Sequence, residues 1–117
     1  MHRIETIVEV TDEQINDVVA AALEGGISYW CDQAKTDVDM GDSRLSEMLT
    51  KGAEISLNDM EQSNPETNHQ TYGVWRTLTL DNLLKALGEM RFNFDDYDAG
   101  DADAVVQQAI FGEVIYG

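Results

Sequence analysis

The chain of 117 residues has one cysteine, one proline, two histidines and seven basic residues. A lone thiol, Cys31, excludes an internal disulfide framework. Cys31, His2 and His69 show none of the spacings of a zinc site, so no metal is expected there. No apolar run approaches the roughly 20 residues that span a bilayer. The opening "MHRIETIVEV" carries neither a long apolar stretch nor a small-residue cleavage site, and a cytoplasmic setting is expected. Basic residues are the sharpest shortage: 7 Lys and Arg face 23 Asp and Glu, a net charge of −16. That excess repels phosphate backbones and anionic lipid, so neither free nucleic acid nor a membrane is an expected partner. A protein with a basic surface is. Solubility alone, or life in high salt, also suits an Asp-rich chain whose only lysines are Lys35, Lys51 and Lys85.

What is present reads as one domain, residues 1–117. "RIETIVEV" alternates and is rich in β-branched residues, which predicts a strand. In "TDEQ", Thr11 and Gln14 have the spacing of a capping box. Ile15, Val18, Val19, Ala22, Leu23, Gly26, Ile27 and Trp30 then repeat at helical spacing, so a helix is expected from about Thr11 to about Gln33. Its two glycines, Gly25 and Gly26, lie inside a helix rather than between strand and helix, the wrong context for a phosphate loop. They read instead as a close approach to a neighbour, the Gly112 region being one candidate, or as a distortion of the helix. Trp30 and Cys31 are then core residues.

"SRLSEMLTKG" reads as a short helix stopped by Gly52. "AEISLND" and "YGVWRTLTL" alternate and predict two strands paired across the loop "EQSNPETNHQT". "LTLDNLLKALGEM" and "DADAVVQQAIFGEVIYG" predict two further helices, the last interrupted at Gly112. The expected fold is α+β: a small antiparallel sheet of about three strands covered by about four helices, in the order β-α-α-β-β-α-α.

No motif names a reaction. "DVDMGDSRLSEM" and "DYDAGDADAVVQ" both miss the glycine and glutamate positions of a calcium-binding loop, so no dedicated metal site is expected. A thiol at a helix C-terminus is not activated, and Cys31 reads as a buried structural residue rather than a nucleophile. With 23 acids in the chain, paired carboxylates arise by chance and carry no catalytic signal. No catalytic residue and no cofactor is expected, and the chain reads as a non-enzyme. Tyr72, Trp75 and Arg76 form an aromatic and cationic spot that would suit a ligand or partner. A sheet buried on both faces is the favoured alternative for Trp75.

Two stretches, "VTDEQINDVVAAALEGGISYWC" and "DADAVVQQAIFGEVIYG", resemble the ends of a family of small proteins of phages, prophages and other mobile elements, to which no activity is assigned. "GAEISLND" and "LTLDNLLKAL" are similar in kind. The resemblance implies a compact accessory protein and no catalytic residues. The acidic loops look like elaborations of this member.

Charge and resemblance together favour a protein-binding inhibitor of a host defence protein, of the anti-CRISPR or anti-defence type. Its carboxylates would imitate the phosphates of nucleic acid. The acids expected to meet the partner are Asp37, Asp39, Asp42, Asp95, Asp96, Asp98, Asp101 and Asp103. Two other readings stay open: an oligomer that sequesters a nucleotide through Tyr72, Trp75 and Arg76, and a halophile-type protein whose apolar tail "IFGEVIYG" forms a homo-oligomer seam.

Overall fold

A computed structural model describes residues 2–4, 8–62 and 73–117. The order is β1 (His2–Ile4), β2 (Val8–Val10), α1 (Asp12–Ala21), β3 (Cys31–Lys35), β4 (Ile55–Asp59), β5 (Val74–Leu78), α2 (Leu80–Glu89) and α3 (Ala99–Phe111). The class is α+β, with three α-helices and a three-stranded antiparallel sheet ordered β3-β4-β5.

Both the helix count and the element order differ from expectation. The alternating N-terminal run folds back on itself: β1 and β2 pair antiparallel as a separate two-stranded sheet, His2 opposite Val10. The residues between Ser43 and Gly52 form only a short 3₁₀ turn, Leu45–Glu47, in place of a helix.

The long first helix ends early. Thr11 caps α1 with the reciprocal Thr11–Gln14 bonds of a capping box. After Ala21 the chain widens into a π-helical turn, Ala22–Gly26. Amide bonds from Trp30 and Cys31 back to the Ile27 carbonyl then make one further turn, and strand β3 begins. That extra turn keeps Ile27 and Trp30 buried with Ile15, Val18 and Val19. The apolar spacing therefore continues past the end of the helix. The helical path breaks at Gly25, whose backbone is non-helical at φ 177°, ψ −33°, and the next residue, Gly26, makes a close contact. A Cβ on it would lie 2.4 Å from the Ala99 carbonyl oxygen, so it is the contact point for the start of α3 rather than for Gly112. Gly112 ends α3 in the left-handed conformation, φ 79°, which suits glycine.

The expected hairpin is present. Strand β4 pairs with β5, Ile55 opposite Leu78 and Asn58 opposite Trp75. Ile55, Leu57 and Leu78 point into the core with Leu49, Leu83, Leu87, Val105 and Val106. The opposite face is not covered on both sides by helices: Trp75 is 41% exposed, and Thr77, Gln33 and Lys35 are exposed beside it.

Candidate functional site

Of the eight acids expected to meet a partner, seven lie exposed on two surface loops and the eighth, Asp103, is buried, as is Asp59. Asp37, Asp39 and Asp42 lie exposed in the turn after β3. Asp39 bends this loop by accepting from the Gly41 amide at 2.9 Å, a local Asx-type bond that leaves its second oxygen toward water. Asp95, Asp96, Asp98 and Asp101 lie exposed in the connector between α2 and α3 and in the first turn of α3. Asp98 accepts from the Asp101 amide at 2.9 Å, and Asp101 accepts from the Asp98 amide at 3.1 Å. Both charges sit at a helix N-terminus, where the helix dipole stabilises them.

Beside this second loop a cleft of about 190 Å³ is lined by Phe92, Tyr97, Asp96 and Asp101, with Met90, Arg91, Asn93 and Ala104. Phe92 packs on both Phe94 and Tyr97 at 5.0 Å between ring centres, which holds the aromatic wall in place. Aromatic rings next to carboxylates suit a cationic side chain. Burial pushes the Tyr97 phenol up from its ordinary pKa, with the Asp17 charge adding to the effect.

Asp103 does not belong with the surface acids. It is 6% exposed. Its Oδ1 accepts from Trp30 Nε1 at 2.7 Å and Gln107 Nε2 at 2.9 Å, and its Oδ2 from the Tyr29 hydroxyl at 2.5 Å. A carboxylate with three donors can stay buried without a counter-ion. Gln107 extends the network: its Oε1 accepts from the amides of Ile115 and Tyr116 at 2.9 and 2.8 Å. The Tyr116 hydroxyl reaches the fully buried Asp59 at 2.8 Å, and Gln62 donates to the same hydroxyl. Burial, then the bonded carboxylates Asp103 and Asp59, raise the Tyr29 and Tyr116 phenols above their ordinary pKa. The expectation that Asp103 meets a partner with the other acids is therefore corrected: it is buried. Its four-residue spacing from Gln107, beside the inward-facing Ala102 and Val106, was the only local hint of burial.

The aromatic spot is only partly assembled. Tyr72 lies outside the described residues. The Lys35 ammonium sits 4.4 Å from the centre of the exposed Trp75 ring. Arg76 points to the other face, with its guanidinium 5.3 Å from the Phe111 ring. Trp75 and Arg76 therefore do not form one contact point.

Cys31 is buried at the start of β3, not at a helix end, and donates to the Gln33 carbonyl. Burial pushes its thiol up to about 11. His69 lies outside the described residues. Among the described residues no three His, Cys, Asp or Glu side chains are placed to hold a metal ion. No helix among them is long and apolar enough to cross a membrane. Comparison with family models, with curated proteins and with solved structures found no match. Fold and surface thus define a small α+β domain with two acidic loops.

Proposed function

We propose that this chain is a non-catalytic protein-binding domain that docks on the basic surface of a nucleic-acid-binding protein and blocks access to it. The carrying observation is the exposure of Asp37, Asp39 and Asp42 on one loop and of Asp95, Asp96, Asp98 and Asp101 on the other. Even if each of the 7 bases neutralised one of the 23 acids, 23 − 7 = 16 carboxylates would keep their charge. Such a surface attracts basic grooves at long range. In the cleft lined by Phe92, Tyr97, Asp96 and Asp101, with the chain's own Arg91 beside them, the rings and the two carboxylates favour an arginine or lysine of the partner. The buried, high-pKa thiol of Cys31 is unsuited to nucleophilic chemistry. A host defence protein is the proposed target, the one that the resemblance of the two end stretches implies.

Competition tests this directly. A labelled DNA duplex is bound to each of a panel of basic nucleases, and its displacement by the chain is followed by fluorescence anisotropy. Displacement that weakens steadily as salt is raised from about 50 to about 300 mM is expected. No displacement at low salt, or displacement indifferent to salt, removes the reading. Stability that rises into molar salt without displacement would favour the high-salt origin of the acidity instead.

A further inference from the structure

Residues 112–117 run beyond α3 without regular secondary structure, yet they are firmly held. Two consecutive amides, of Ile115 and Tyr116, share the Oε1 of the fully buried Gln107. Gln107 is itself fixed by Asp103 at 2.9 Å. The Tyr116 ring stacks on Trp30 with centres 5.7 Å apart, and its hydroxyl is bound by Asp59.

What this strap shows to water is apolar. Val114 is 47% exposed and Ile115 41%. Tyr29, also 47% exposed, borders the strap: its hydroxyl is 3.3 Å from Gln107 Nε2 and lies beside Gly117. Buried carboxylates and amides are unfavourable unless fully bonded. Here such groups fix a segment that points two aliphatic side chains outward, where the hydrophobic effect disfavours them.

We infer that Tyr29, Val114 and Ile115 are the apolar centre of a docking surface, displayed in a fixed conformation by Gln107 and Tyr116. This rests on the basic-partner reading above and adds the short-range half of that contact. The occupant is a protein with an apolar hollow rimmed by lysine or arginine. Charge complementarity selects it: Glu113 adjoins Val114, and a second copy would bring a net charge of −16 against −16. Acidic loops then govern encounter, and the apolar centre governs dissociation.

Two peptides of equal positive charge test this, an oligolysine and a lysine–leucine peptide, each titrated calorimetrically into the full chain. The lysine–leucine peptide is expected to bind about tenfold tighter, a difference that shows in its off-rate. The double variant Val114→Ser, Ile115→Ser is expected to lose that advantage while keeping its oligolysine affinity and its urea midpoint. Equal binding of both peptides, unchanged in the variant, overturns this inference and leaves the basic-partner reading standing. Failure of both peptides to bind at low salt overturns the two together. Sedimentation that shows self-association abolished by the double variant also overturns it, because the patch would then be covered by a second copy.

Discussion

The indole Nε1–H of Trp30 donates to Asp103 Oδ1 at 2.7 Å, joining residues 73 positions apart in a buried bond. Trp30 is fully buried and Tyr29 donates to the other oxygen of the same carboxylate. Asp103 is thus the point where the turn before β3 is tied to α3.

Asp103→Asn replaces a group that accepts everywhere with one that accepts at one atom and donates at the other. Three donors, from Tyr29, Trp30 and Gln107, then compete for one oxygen, and a buried donor is left unpaired. A loss of about 2–4 kcal/mol is expected. Asp37→Asn, on the exposed loop, is expected to stay within about 0.5 kcal/mol of the parent. Urea unfolding followed by circular dichroism measures both. Equal midpoints for the two variants would contradict the division into buried and surface acids.

Gln107 separates two effects that a simple truncation would merge. Gln107→Ala frees the amides of Ile115 and Tyr116 and is expected to cost about 1–3 kcal/mol. Trp30 emission should change as Tyr116 leaves its ring. Gln107→Glu keeps the acceptor for the strap but brings a second carboxylate against Asp103. Like charges at that distance cannot both ionise easily, so one carboxyl titrates well above its ordinary range. Its folded pKa then exceeds its unfolded pKa, and the variant regains stability as pH falls. Gln107→Glu is therefore expected to be less stable than Gln107→Ala at pH 7 and to recover below about pH 5. Urea midpoints across that range check the crossover.

What was legible in the sequence was local. The Thr11–Gln14 box needs only residues three apart, and the leucine stripe of α2 and the apolar side of α3 follow from helical spacing. The hairpin of β4 and β5 was marked by alternation on either side of a polar loop. The misreadings share one cause. The helical run breaks at Gly25, and at Gly26 the Ala99 carbonyl, 73 residues away in sequence, takes the space of a Cβ. Asp103 and Asp59 are buried because Trp30, Tyr29 and Tyr116 arrive from distant segments. Periodicity registers which side of a helix is apolar, but an acid that acquires buried donors by folding carries the same letter as one in water.

The two glycines of the π-helical turn should respond unequally to alanine. Gly26→Ala places a methyl group 2.4 Å from a backbone oxygen that can move only if α3 moves. A loss of about 1–3 kcal/mol is expected, with a lower melting temperature. At Gly25 a Cβ would meet nothing within 4 Å. Gly25→Ala is expected to fall within about 0.5 kcal/mol of the parent. Calorimetric melting of both variants decides it, and a larger loss at Gly25 would refute the contact between this turn and α3.

Cys31 gives the fold an alkaline limit. Its thiol has an ordinary pKa of 9.0 and burial raises it to about 11 in the folded chain. The folded state therefore holds the proton more tightly than the unfolded state. Stability from this group is complete below about pH 9 and is lost as pH rises from there through about 11. The raised phenols of Tyr29 and Tyr116 act in the same direction. Two pH units correspond to roughly 2–3 kcal/mol at the limit. Cys31→Ala removes the titrating group, so its unfolding free energy should decline less steeply between pH 9 and 11 than the parent's. Urea unfolding at half-unit intervals measures both slopes, and parallel slopes would mean that the folded thiol titrates no differently from the unfolded one.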